Sequence, residues 1–336
     1  MAVLVTGGAG YIGSHMVLAL CDAQQNVVVL DNMSTGVRAN VDSRAAFVEG
    51  DIADEALIAR VLDEHKVDVV VHFAGSIIVP DSVADPLEYY CNNTAKTRDL
   101  LAACIKADIK NFIFSSTAAV YGIPQENPVF EDAPLNPISP YGSSKLMTEW
   151  MLRDTSFAHD FRYVALRYFN VAGADPQGRS GQSTPKATHL IKVAAEVATG
   201  QRAYMEIYGR DYDTPDGTCI RDYIHVNDLI DAHVRALDYL REGGKSVQLN
   251  CGYGQGYSVL DVVLAVERAN GQGFDVRDSD RRAGDPPALI AGAQKIKSVL
   301  GWQPKYADID TIVAHAFKWE QKIAGARASS DKVVGL

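Results

Sequence analysis

Tyr141 and Lys145 stand four residues apart in Ser139-Pro140-Tyr141-Gly142-Ser143-Ser144-Lys145, where a helical pattern begins, so both side chains fall on one helix face. A phenol acts as a base only if its proton is already loosened. Its ordinary pKa is about 10, and a cation at ~4 Å in an effective dielectric near 20 contributes about 4 kcal/mol, or roughly three pKa units. The pair therefore predicts a phenol near neutral pH, suited to general base catalysis. Tyr and Lys at this spacing are more often structural, and the upstream segment is what changes the reading. Asn111-Phe112-Ile113-Phe114-Ser115-Ser116-Thr117 reads as a buried strand ending in three hydroxyls, and ligands bind at the C-terminal ends of strands in parallel sheets. Thr117 can hydrogen-bond a substrate oxygen while Tyr141 takes its proton. Ser115 and Ser116 are expected to satisfy local backbone groups.

A second constellation suits a dinucleotide. Val3-Leu4-Val5-Thr6 reads as a strand, and Gly7-Gly8-Ala9-Gly10-Tyr11-Ile12-Gly13 follows it into a helical pattern. Gly7 permits the tight turn, Gly10 lets backbone approach a pyrophosphate, and Gly13 lets the helix lie close to the sheet with its free N–H groups facing the anion. Asp31 closes the next strand, Val27 to Leu30, about 20 residues beyond the glycines. A carboxylate there suits a ribose hydroxyl and repels a 2′-phosphate, which favours NAD over NADP; the same residue type also suits a turn with Asn32. Asp51, after Phe47-Val48-Glu49, either meets the adenine edge or caps the next helix.

The elements that must position these groups follow from the hydrophobic pattern. Val3–Thr6, Val27–Leu30, Val69–Phe73, Asn111–Ser115 and Tyr163–Tyr168 are short strand-like runs. They alternate with helical spacing over Ile12–Ala23, Glu55–Glu64, Leu87–Ala107 and Tyr141–Phe157. This predicts an α/β fold with a doubly wound parallel sheet. A Gly, Pro, Ser and Thr-rich stretch, Gly173–Pro185, leads into a smaller mixed α/β region. The expected division is a dinucleotide domain over 1–170, a mainly substrate-binding domain over 171–325 and a flexible tail over 326–336. With 42 acidic against 32 basic residues, a broad electrostatic grip on nucleic acid or anionic lipid is not expected. Five scattered cysteines without a Cys-x-x-Cys pair point to neither zinc nor disulfide chemistry, and no metal is expected. The first residues carry no signal peptide or membrane span, so a cytoplasmic protein is expected.

Thr-Gly-Gly-Ala-Gly-Tyr-Ile-Gly-Ser-His, Phe-Ser-Ser-Thr-Ala-Ala-Val-Tyr-Gly, Pro-Tyr-Gly-Ser-Ser-Lys and Arg-Tyr-Phe-Asn resemble the extended short-chain dehydrogenase/reductase family. Phe73-Ala74-Gly75, Pro86-Leu87-Glu88-Tyr89-Tyr90, Arg221-Asp222-Tyr223-Ile224-His225-Val226 and Gly284-Asp285 further resemble its UDP-glucose 4-epimerases, in order and in both halves. The resemblance implies a Rossmann-type sheet, tightly held NAD, a homodimer through helices like Leu87–Ala107 and Tyr141–Phe157, and epimerisation of UDP-galactose and UDP-glucose through a 4-keto sugar. Tyr141 then serves as base and later acid, Lys145 tunes it and holds the nicotinamide ribose, and Thr117 orients the hydroxyl. It also implies cofactor contacts by Gly7, Gly10, Tyr11, Ile12, Gly13, Asp31, Asn32, Asp51, Ile52, Phe73, Ala74, Gly75, Asn92, Ser115, Tyr141, Lys145 and Tyr168. The implied substrate contacts are Thr117, Tyr141, Asn170, His189, Tyr208, Arg221, Arg282, Asp285 and Leu289, with Arg221 and Arg282 clamping phosphates and Tyr208 stacking on uracil.

Three positions depart from the family. Ile77 stands where a lysine near the cofactor phosphates is usual, His189 where an asparagine touches substrate, and Leu289 where a tyrosine narrows the sugar pocket and a smaller residue admits N-acetyl sugars. N-acetyl substrates are therefore an alternative, and UDP-pentoses and UDP-hexuronates are others, since pocket residues distant in sequence decide the sugar. A 4,6-dehydratase is a further one, but such enzymes carry an Asp-Glu pair after the hydroxyl residue, and here Ala118-Ala119 follows Thr117. A non-catalytic NAD sensor typically lacks the Tyr and Lys pair.

Overall fold

A computed structural model describes residues 1–184, 187–282 and 285–334, with backbone alone from 327 onward. In the first lobe, β1 (Ala2–Thr6), α1 (Tyr11–Asp22), β2 (Val27–Asp31), β3 (Ala46–Glu49), α2 (Glu55–Glu64) and β4 (Val67–His72) alternate along the chain. Two short helices, α3 (Val79–Ala84) and α4 (Pro86–Tyr89), then lead through a π-helical turn, Tyr90–Ala95, into α5 (Lys96–Lys106). The π turn divides what the sequence reads as one helix over Leu87–Ala107. β5 (Asn111–Thr117), α6 (Pro140–Ala158) and β6 (Arg162–Tyr168) follow.

The second lobe is built from β7 (Asn170–Ala172), α7 (Leu190–Ala198), β8 (Met205–Tyr208), β9 (Ile220–His225), α8 (Val226–Arg241), β10 (Val247–Cys251), β11 (Gly256–Ser258), α9 (Val259–Asn270), β12 (Val276–Ser279), β13 (Ala288–Leu289), α10 (Gln294–Leu300) and α11 (Ile309–Val334). Its strands form a four-stranded group of β7, β9, β11 and β13 and a parallel pair of β8 and β12. Pro185, at the end of the expected loop, lies outside the described residues, as does Gly284.

The main sheet has seven strands in the order β10-β6-β5-β4-β1-β2-β3, all parallel. Successive side chains of a strand point to opposite faces, and here both faces are buried. Val3, Val5, Val29, Val71, Ile113 and Val164 join one core cluster, while Leu4, Val28, Leu30, Val70, Phe112 and Phe114 join the other. This explains why the strands read as unbroken apolar runs. Six of the seven strands come from before residue 170, and the chain returns from the second lobe to place β10 beside β6 in register Leu249↔Leu166. Helix α11 continues to Val334 through most of the stretch read as a tail. Its alanines and long charged side chains favour helix even without an amphipathic pattern.

The parallel arrangement collects the C-terminal ends of β1, β4, β5 and β6 on one edge of the sheet. The chain order reverses between β1 and β4, which makes the crevice where such sheets bind ligands.

Candidate active site

At the crevice, the β1 to α1 turn presses against the chain leaving β4. Gly7 has φ of +69°, and a Cβ there would stand 2.6 Å from the Ala74 nitrogen; one at Gly13 would stand 2.2 Å from the Gly7 carbonyl oxygen. Any side chain at either position would force β1, α1 and the Phe73–Ala74 segment apart. Helix α1 begins after Gly10 with no side chain capping it, so its first N–H groups remain available to an anion. Tyr11 closes one side, donating its hydroxyl proton to the Gly173 carbonyl at 2.7 Å. Asp31 is buried at the end of β2, where its two oxygens accept the N–H groups of Ala9 and Met33, each at 2.9 Å. The turn reading of Asp31 is the one these bonds carry, and they fix the carboxylate in place.

Asn32 accepts the Ser34 N–H at 3.1 Å. Asp51 does not cap α2, a role taken by Asp54, which accepts the Leu57 N–H at 3.0 Å. Asp51 instead meets Lys96 Nζ at 2.6 Å. Burial pushes its carboxyl up, but Lys96 and the Ala53 N–H outweigh this and hold it below the usual carboxylate range. Ile52 is buried beside it. Phe73 packs on His233 with ring centres 4.9 Å apart. Asn92, in the π turn, donates to Ser76 Oγ at 2.9 Å, while the neighbouring Asn93 bonds both the N–H and the carbonyl of Ser76. Ile77 is half exposed at this rim.

Thr117, Tyr141 and Lys145 come together at the end of β5. Ser139 caps α6 by accepting the Gly142 N–H at 3.2 Å, which starts the helix so that Tyr141 and Lys145 face the sheet. Thr117 stands beside the Tyr141 hydroxyl and acts to lower its pKa. Lys145 Nζ donates to the Ser115 carbonyl at 3.1 Å and lies 3.5 Å from where a Cβ on Gly75 would stand. Tyr168, at the end of β6, is hydrogen-bonded through its hydroxyl to Ser115 Oγ.

The electrostatics correct one expectation. Tyr141 is not brought towards neutral pH by the surrounding protein; burial pushes its phenol up to about 12, offset only in part by Thr117. Burial also pulls the Lys145 ammonium down to about 8. Burial shifts both groups towards their neutral forms because the site is dry, a factor that the Coulomb argument from spacing omits, but Lys145 still keeps its proton below about pH 8. Lys145 in turn disfavours charge on His72, which burial first and the lysine second lower to about 3. That ring is a neutral link between the hydroxyls of Thr6 and Thr97.

The expected substrate residues fall into three groups on the second lobe. Strand β9 organises two of them. Its Tyr223 pairs in register with Asn170, and its Arg221 pairs with Leu289. Arg221 donates to the carbonyls of Ile220 and Pro286 at 2.9 and 2.8 Å and approaches Asp285 at 3.5 Å. Leu289 packs on the cluster of Ala118, Val120, Phe169 and Ala291, which borders the end of β5. Asn170 and His189 line a small cleft together with Gln182, Lys192, Tyr223 and Trp319. None of Thr117, Tyr141 and Lys145 lines it, so this cleft does not mark the reactive centre. His189 bonds Gln182 at 2.8 Å and is kept neutral by burial. The third group is Tyr208 and Arg282, whose guanidinium lies 3.8 Å over the tyrosine ring. One aromatic face expected for a base is therefore covered by the arginine.

Residues 3–252 match the NAD dependent epimerase/dehydratase family. The chain belongs to that family. A relative within it, the UDP-glucose 4-epimerase of Azospirillum brasilense, is 58% identical over 321 residues, covering 96% of this chain and 92% of the relative. The UDP-glucose 4-epimerase of Brucella ovis, solved in complex with NAD, superposes with a TM-score of 0.93 at 46% identity, over 95% of this chain and 98% of the other. The UDP-Glc/GlcNAc 4-epimerase of Campylobacter jejuni superposes with a TM-score of 0.84 at 48% identity, over 96% and 99%. The glycine cradle, the open start of α1 and the fixed Asp31 carboxylate fit NAD. No helix among the described residues is long and apolar enough to cross a membrane.

A buried network beneath the site carries residues that the sequence reading did not single out. Glu149 on α6 binds Arg167 on β6 through both oxygens, with Nη2 at 2.6 Å and Nε at 3.0 Å, and accepts Ser116 Oγ at 2.5 Å. The one signal in the sequence was the spacing, Glu149 standing four residues beyond Lys145 on the face of Tyr141.

Proposed function

We propose that this family member interconverts UDP-galactose and UDP-glucose by oxidising and re-reducing C4 of the sugar. The observation that carries the reading is the meeting of Thr117, Tyr141 and Lys145 beside Gly75, on the same sheet edge as the glycine cradle. Bound in that cradle, NAD would supply a hydride acceptor for C4 and a positive charge favouring the phenolate. Tyr141 removes the C4 hydroxyl proton and returns it after the 4-keto sugar has turned over. Thr117 holds the hydroxyl, and Lys145 fixes the ribose side and tunes the phenol. Arg221 and Arg282 bind the diphosphate, leaving the hexose loosely held and free to rotate.

Incubation of the purified protein with UDP-galactose, UDP-N-acetylgalactosamine and UDP-xylose, without added NAD, tests substrate and cofactor retention together. UDP-glucose should form from UDP-galactose at a steady rate; no conversion of any of the three would overturn the reading. Leu289 is smaller than the tyrosine usual at its position and only half buried, which favours some turnover of the N-acetyl sugar as well. The five cysteines are all unpaired, consistent with a reducing cytoplasm.

The protein acts as a homodimer in this proposal. Met147, Trp150 and Phe157 recur at spacings of three and seven on the outer face of α6, and all are exposed, as is Leu87 on α4. Such a stripe on a long helix suits a helix-paired interface. Light scattering should find a dimer, and Trp150→Glu should yield a monomer; a monomeric parent chain would reject this arrangement.

A further inference from the structure

The last three residues of β5 each engage one residue of a single helix face. The Ser115 carbonyl accepts from Lys145, the Ser116 hydroxyl donates to Glu149, and Thr117 stands beside the Tyr141 hydroxyl. Tyr141, Lys145 and Glu149 follow one another at intervals of four residues on α6, about 6 Å of helix each. All three are buried. Glu149 differs in facing away from the reactants, towards a closed polar network. Arg167 clamps its carboxylate and donates through Nη1 to Tyr121 at 2.9 Å; Tyr121 donates to Asn250 Oδ1 at 2.6 Å, and the Asn250 N–H donates to Glu131 at 2.8 Å. β5, the turn after it, the loop at Glu131, α6, β6 and β10 are thereby joined in one network around this carboxylate.

We propose that Glu149, acting through Ser116 and Arg167, is a positioning residue that sets the register of α6 against the end of β5, and so the placement of Tyr141 relative to Thr117. The inference rests on the epimerase reading for its kinetic consequence but not for its structural one. Apolar contacts between a helix and a strand carry no direction of their own, whereas short hydrogen bonds to a charged group hold a defined geometry. Ser116 is the point where the network touches the reactive strand. Its loss leaves the Glu149 and Arg167 pair intact while freeing Thr117 to shift.

Ser116→Ala is the direct test, made on the NAD-loaded protein. Its kcat for UDP-galactose should fall on the order of tenfold, because small misplacement of reacting groups is costly in rate. KM should stay within about twofold and Tm within a few degrees, the profile of a defect in geometry and not in folding. Backbone hydrogen exchange should rise in residues 115–119 and 141–149 alone. Glu149→Gln, which keeps the shape but leaves the Arg167 charge uncompensated, should show the same local loosening and move the acid limb of the kcat profile to lower pH. An unchanged kcat with unchanged exchange in Ser116→Ala overturns the proposal, as does a general loss of protection across the sheet. If the parent protein converts no UDP-galactose, the functional reading fails while the exchange measurement still decides the positioning role.

Discussion

Tyr141→Phe should lower kcat on the order of 10³-fold, within the range for removing a positioned acid–base group, while NAD remains bound and KM changes little. The ring stays, so the packing at the end of β5 is kept; only the hydroxyl that meets Thr117 is lost. The pH dependence provides the sharper measurement. Burial holds the phenol at about 12, so at neutral pH the protein alone keeps it protonated, and a base form must be won against that preference. In the parent enzyme kcat should rise with pH on the acid side as the phenolate fraction grows. In Tyr141→Phe that rise should vanish and leave a low, flat profile. A variant with the parent rate, or with the parent slope, would show that another group takes the proton.

The same burial explains what could and could not be read in advance. The central strands of the main sheet were legible because both faces are covered, so Val3 to Val5 or Phe112 to Phe114 carry no polar interruption. The glycine cradle was legible because Gly7 and Gly13 answer steric demands that no other residue type meets. β10 was not, since Val247 to Cys251 mixes polar and apolar residues and pairs only after a long excursion through the second lobe. Asp51 looked like a helix cap because the acids at 51 and 54 are alike in sequence; the partner that distinguishes them, Lys96, is distant in the chain. Glu149 escaped notice for a related reason. A glutamate four residues after a lysine reads as a solvated helical pair, and only the fold reveals that both point inward, to different partners. The acidity of Tyr141 was misjudged because spacing reports distance to a charge but not the dryness of the surroundings.

Lys145→Met should stabilise the protein at pH 7 and still reduce kcat by at least about 10²-fold. In the unfolded chain this lysine keeps its proton up to its ordinary pKa of 10.5, but in the folded protein only to about 8. Between those values the unfolded state binds more protons, so stability rises with pH across that window, and below about pH 8 the whole cost of the buried charge is present. A fall of that size corresponds to about 3 kcal/mol. Methionine fills a similar volume without charge; it forfeits the bond from Nζ to the Ser115 carbonyl, worth about 1 kcal/mol. The net gain is about 2 kcal/mol near neutrality, seen as a Tm higher by roughly 3–6 °C. Between pH 8 and 10.5 the advantage should shrink and then reverse, because the lysine becomes neutral in both states and its hydrogen bond remains. Paired unfolding curves across that range decide the matter: a pH-independent difference, or a less stable variant at pH 7, would mean that the ammonium is not held against its burial. An active site that keeps such a group gives up stability for a cation next to the phenol it must activate.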